Sequence, residues 1–244
     1  MLKEGMAGRA LAPPTGQPRS VNRRPRTAGG SPGIAFSFPA ALFVAFVVVP
    51  IAALVWKAIA SPDFWSSVTK PLVLQALRLT IETTLLALLI SVAAGTPLAY
   101  LLSRRRTPLL RAVQLVADLP LVLPPMVAGV ALLMAFGRRG VLGGALAAAG
   151  IELPFTTAAV VLAQVFVASP FYIRSAKVGF GSIEREVEEA AAMDGATFGQ
   201  AFRLIVVPLA MPGLAGGAVL CLGRAISEFG ATLLFAGNFE GRTQ

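Results

Sequence analysis

The chain has 244 residues, 56% of them hydrophobic and only 14% charged, with a mean hydropathy of +0.75, which excludes a water-soluble globule. It has no histidine and a single cysteine, Cys221, so His-containing metal sites, His-based catalytic triads and an internal disulfide are excluded. No G-x-x-x-x-G-K-[ST] phosphate loop occurs, so any ATP this chain uses is hydrolysed elsewhere.

The net charge of +9 invites a nucleic-acid reading. Its distribution argues against nucleic acid as a partner, because the basic residues sit in short clusters between long apolar runs, as on the cytoplasmic loops of membrane proteins. Residues 1–33, rich in Pro, Gly and Arg and without apolar periodicity, are expected to form a disordered basic cytoplasmic tail near anionic membrane lipid. The membrane domain then occupies 34–244. Its first span is expected at 36–56, ending in Trp56 and Lys57 at the interface. Ala58-Ile59-Ala60 resembles a signal-peptide cleavage site, but the apolar run before it is longer than the usual h-region, so a retained span is preferred.

Runs free of charge at 83–103, 119–137, 153–173 and 204–223 predict further spans near 80–102, 119–137, 153–173 and 209–232, giving five in all. The Gly- and Ala-rich run 140–151 is too short to cross and is expected to be interfacial or re-entrant. Run 229–238 completes or follows the fifth span. Basic residues are densest in 1–33, 103–112 and 174–203, which places the N-terminus and the loop between spans four and five in the cytoplasm. Pro124, Pro125 and Pro170 can bend their spans, and Gly213, Gly216 and Gly217 permit close helix approach. Cys221 is expected to be a small buried hydrophobe.

The loop 181–208 predicts two short helices. In the first, Ser182 is the expected N-cap, Ile183, Val187 and Ala191 share one face, and Gly195 stops the helix. Thr197 and Gln200 form a capping box for the second, whose Phe198, Phe202 and Ile205 share a stripe. Such a hairpin either docks into a groove on another protein or caps the bundle. Its residues tip that balance. Glu189-Ala190-Ala191, Gly195 after three intervening residues, Ile205 after nine more, and Pro208 resemble the E-A-A-x3-G-x9-I-x-L-P loop of ABC importer permeases, with Val207 in place of Leu.

The resemblance runs from about residue 77 to the end, and segments 118–132, 152–180 and 227–244 are similar to molybdate and sulfate permeases, the last to the molybdate branch. It implies an all-α polytopic bundle of the type I ABC importer kind in the bacterial plasma membrane. It also implies a homodimer of permease chains, a separate ABC ATPase subunit and an extracytoplasmic molybdate-binding protein. The substrate implied is molybdate, with tungstate as co-substrate; the alternatives are sulfate or thiosulfate, or an ion-coupled secondary carrier. The chain itself is expected to be no enzyme and to need no metal or cofactor. Glu189, Ala190, Ala191, Asp194, Gly195, Phe198, Phe202, Ile205 and Pro208 are its implied ATPase-coupling residues. The family has a sixth span after the G-R-T-Q segment, so this chain is expected to lack it. Arg224 and Glu228, at i and i+4 in the fifth span, form either a structural ion pair or part of the anion path, since unpaired intramembrane charge is costly.

Overall fold

The computed structural model describes residues 34–239 and Thr243, and the expected basic tail lies outside them. Contacts divide the chain into two units, one ending at Pro62 and one starting at Asp63.

In the first unit, α1 (Ile34–Ile59) is a 26-residue helix of about 39 Å, long enough for a ~30 Å hydrocarbon layer. It extends the expected first span by a few residues at each end. Pro39 and Pro50 lie inside it.

Every regular element of the second unit among the described residues is a helix, starting with the short α2 (Phe64–Val68). α3 (Pro71–Arg104) is longer than the expected second span, because Pro71 provides a preset first turn and Arg78 and Glu82 pair at 2.6 Å along its surface. Arg78 is therefore helical, not part of a loop. The third expected span is broken. α4 (Pro108–Val122) stops at Leu123, and α5 (Pro125–Phe136) starts after an extended Pro124. Pro124-Pro125 explains the interruption: each proline drives the residue before it out of helical conformation and neither has an N–H to donate. The Gly- and Ala-rich run forms only α6 (Gly143–Ala148).

α7 (Thr157–Gly181) is the central helix, capped by the Thr156 hydroxyl accepting from Ala159 N. α3 and the helix preceding the C-terminal segment, α10 (Val207–Ile226), pack on α7. Gly179 on α7 and Gly213 on α10 meet backbone to backbone, since a Cβ on Gly213 would lie 2.6 Å from Gly179 Cα. The Ser175 hydroxyl donates to Gly213 O at 2.8 Å at the same crossing. The core there includes Ala99, Tyr172, Ala176, Phe180, Val206 and Cys221. A second core joins α5, the start of α7 and α11 (Gly230–Phe235). Gln164 on α7 ties three helices together, its Nε2 donating to Thr84 Oγ1 at 3.2 Å and Ala225 O at 3.3 Å.

The helix leading into the fifth span is continuous with it. α9 (Phe198–Ala201), a π-helical turn (Phe202–Val206) and α10 form one run from Phe198 to Ile226. The π turn ends two residues before Pro208, whose ring would strike the carbonyl four positions back in a regular α-turn; the wider turn makes room. The span ends at Ile226, and residues 227–229 separate it from α11. Among the described residues four helices are long and apolar enough to cross a membrane: Phe36–Ile59, Pro71–Arg104, Thr157–Gly181 and Phe198–Ile226; the 12-residue α5 is shorter.

Candidate functional site

The loop between the last two long helices folds as a hairpin. Ser182 does not cap its first helix; it closes α7, its hydroxyl donating to Gly179 O at 2.8 Å. Glu184 is instead the N-cap of α8 (Arg185–Met193), which places the acidic Glu186 and Glu188 in the first turn, next to the positive end of the helix. The helix ends as expected at Gly195. That residue has φ +85°, Ala196 N donates to Ala191 O at 3.0 Å and Gly195 N to Ala192 O at 3.1 Å, the two bonds of a Schellman stop. The second limb opens with the expected capping box: Thr197 Oγ1 accepts from Gln200 N, and Gln200 Oε1 from Thr197 N.

Four side chains that the sequence reading left aside, Tyr100, Arg104, Arg185 and Glu188, pin the hairpin to the bundle. Tyr100 Oη donates to Glu188 Oε2 at 2.6 Å, and the Arg104 guanidinium forms an ion pair with the other carboxylate oxygen. Arg104 Nη1 also donates to Ile183 O at 2.8 Å, and Arg185 Nη2 to Arg104 O at 2.6 Å. Around this polar latch the rings of Tyr100, Phe180, Phe198 and Phe202 lie at centroid distances of 5.2 to 6.0 Å. Nothing local in the sequence separates Glu188 from its acidic neighbours Glu186 and Glu189. Tyr100 and Arg104 carry no local signal, since their partners are about eighty positions away.

The expected coupling residues divide into two sets. Ala191 is buried and Phe202 and Ile205 half-buried, so they hold the hairpin together. Glu189, Ala190, Asp194, Gly195, Phe198 and Pro208 are exposed, and Glu189 makes no salt bridge among the described residues. Phe198 is 69% and Met193, which the sequence reading passed over, 83% exposed. Around the Gly195 turn the hairpin thus presents Met193 and Phe198, the carboxylates of Glu189 and Asp194, and a glycine with open space in front of it.

At the far end of α10, Arg224 Nη2 and Glu228 Oε2 pair at 2.7 Å. The spacing is as expected, but Glu228 lies beyond the helix. Its side chain is 1% exposed, and Oε1 accepts from Ala231 N at 2.7 Å, capping α11. A cavity of about 210 Å³ beside it is lined by Thr80, Thr83, Gln164, Thr232 and Asn238 among others. Asp118 pairs with Arg174 of α7 at 2.9 Å. No group of three or more His, Cys, Asp or Glu that could hold a metal occurs among the described residues.

Several long apolar helices, packed through small residues, define a multi-pass α-helical membrane protein. The profile of the binding-protein-dependent transport system inner membrane component family matches residues 91–242, from the middle of α3 through the hairpin and α11. The chain belongs to that family, and is therefore a permease component of a transport system. Among its relatives is the molybdenum transport system permease protein ModB of Mycobacterium tuberculosis, 41% identical over 206 residues, 84% of this chain and 78% of that one. The sulfate transport system permease protein CysT of Salmonella typhimurium is 33% identical over 217 residues, 87% and 78% of the two chains. A putative molybdenum transport system permease protein of Bacillus subtilis, YvgM, is 47% identical over 128 residues, 52% and 56%.

Proposed function

We propose that this chain is the membrane subunit of an ATP-driven importer of molybdate, and of the isosteric tungstate, in the bacterial plasma membrane. The 181–208 hairpin docks on a separate cytoplasmic ATPase, so the N-terminus and the hairpin face the cytoplasm. A second copy of the chain completes the path, and an extracytoplasmic binding protein delivers the anion.

One observation carries this reading. The hairpin is fixed to the bundle from within by Arg104, Tyr100 and Phe202, while Glu189, Met193, Asp194 and Phe198 stay exposed around the Gly195 turn. A hairpin that only capped the bundle would turn its large apolar groups inward. A rigid mount with an exposed apolar and acidic tip suits a lever that fits a groove on a partner. The absence of any nucleotide-binding loop in the sequence agrees with a partner that hydrolyses ATP. Molybdate is preferred to sulfate because identity is higher to ModB than to CysT over similar shares of the chain.

The test is uptake into proteoliposomes holding the chain, its ATPase and its binding protein. Vanadate-sensitive accumulation of molybdate, with sulfate excluded, is expected. Equal transport of sulfate would move the chain to the sulfate branch, and uptake without ATP would overturn the importer reading.

A further inference from the structure

At the hairpin end of the bundle, α3, α4 and α7 border an open cavity of about 470 Å³ lined by Arg105, Arg106, Arg111, Lys177, Gln114 and Leu110 among others. Four basic side chains face it, and no carboxylate lines it. None of the four forms a salt bridge among the described residues. Arg174, three positions before Lys177 on α7, is neutralised by Asp118. Lys177 is treated differently: its Nζ donates at 2.7 Å to the neutral amide oxygen of Gln114. The amide fixes the direction of the ammonium and leaves its charge whole.

Positive loop residues that only set membrane orientation need to be near the interface, not gathered around one space. Here they come from three places in the chain: Arg105 and Arg106 from the α3–α4 link, Arg111 from the first turn of α4, and Lys177 from α7. Like charges brought together this way repel each other unless an anion sits between them. α4 adds an apolar side to the arrangement. Leu115, Val116, Leu119 and Val122 follow Arg111 along that helix and are exposed, a surface suited to acyl chains.

We propose that this cavity is a binding site for a phosphate-class anion, with the headgroup of an anionic phospholipid as the source its apolar border favours. The bound anion would tie the α3–α4 link to α7, next to Arg104 and the hairpin latch. The proposal does not depend on the transported substrate or on the ATPase.

The full chain is placed in nanodiscs of phosphatidylcholine, with and without phosphatidylglycerol, and retained lipid is measured by native mass spectrometry alongside thermal unfolding. Inorganic phosphate in phosphatidylcholine discs forms a separate arm. Phosphatidylglycerol is expected to be retained and to raise Tm. Lys177→Gln with Arg111→Gln is expected to weaken its binding by roughly fivefold for each cation removed. Lys70→Gln with Arg139→Gln removes the same charge at positions outside the cavity and should have no effect. If the double cavity variant unfolds in phosphatidylcholine, the exposed Arg111→Gln alone reads the same loss. Protection by inorganic phosphate alone, lost in the cavity variants, supports the site with a soluble anion as its ligand. Unchanged binding in the cavity variants, or equal loss in the control pair, overturns the proposal.

Discussion

The Tyr100 hydroxyl and the Glu188 carboxylate, 88 positions apart, meet at 2.6 Å and fasten the hairpin to the second long helix of the chain. The side chains of Arg104 and Glu188 that complete the latch are only 13% and 23% exposed, so solvent screens the pair weakly. The latch thus joins the hairpin to α3 by side-chain contacts, in addition to its backbone links to α7 and α10.

Tyr100→Phe removes one hydrogen bond to a charged group and is expected to cost about 1.5 kcal/mol. Glu188→Ala also strands Arg104 and is expected to cost more, on the order of 2–3 kcal/mol given the partial exposure. Thermal unfolding in detergent checks both. Glu189→Ala, on the exposed neighbour, should leave Tm unchanged; a shift as large as that of Glu188→Ala would refute the division between anchor and tip.

Gly195→Val forces a β-branched residue into the left-handed region, a cost of about 1–2 kcal/mol, while a Cβ at that position meets nothing within 4 Å beyond its chain neighbours. Folding and insertion are expected to survive while ATP hydrolysis loses its link to uptake. Gly195→Asn, which tolerates that backbone, should restore more of the coupling. Full coupling in Gly195→Val would mean that nothing docks at the turn.

Gly213→Val places a side chain against Gly179, where even a Cβ would come within 2.6 Å of backbone, and is expected to cost about 3 kcal/mol through overpacking. Gly216→Ala is the contrast, because its Cβ would lie 3.8 Å from Ser175 Oγ, an ordinary contact. Yield of folded protein by size exclusion separates the two.

Arg224→Gln leaves the Glu228 carboxylate buried without its counter-ion, and with Arg224 24% exposed the expected loss is about 3 kcal/mol, the low end for breaking a buried pair. Adding Glu228→Gln restores neutrality and keeps an oxygen to accept from Ala231 N. Recovery of both Tm and uptake in the double variant is the expected outcome of a structural pair. Recovery of Tm with uptake still lost would assign the pair to the anion path.

Glu189→Cys provides the topology test, since the single native thiol, Cys221, is buried and reacts slowly. A membrane-impermeant maleimide is expected to label position 189 only when the cytoplasmic side is open. Labelling from the other side alone would reverse the proposed orientation.

Local patterns in the sequence were enough to locate the hairpin. Gly195 stops α8 and Thr197 with Gln200 starts the second limb because those conformations depend on residues within a turn of each other. The Arg224 and Glu228 pairing was legible for the same reason. Absence of charge marked the long helices, but not the interruption at Pro124 in the third, because hydropathy averages over a window and does not register a missing N–H. Glu188 and Glu189 are chemically identical neighbours in the chain, and only their angular positions on α8, set by how that helix lies on α3, make one an anchor and leave the other exposed.

What the amino-acid order determined by itself, then, is the membrane character, the long apolar helices and the acidic-alanine hairpin, since each follows from composition or from contacts a few residues apart. The tertiary structure alone decided that Tyr100 and Arg104 hold the hairpin, that Glu228 caps α11 from outside the helix that carries Arg224, and that four cations surround one cavity. These relationships join positions that are distant in the chain or turn on where a helix ends, and they exist only once α3, α4, α7 and α10 have packed against one another.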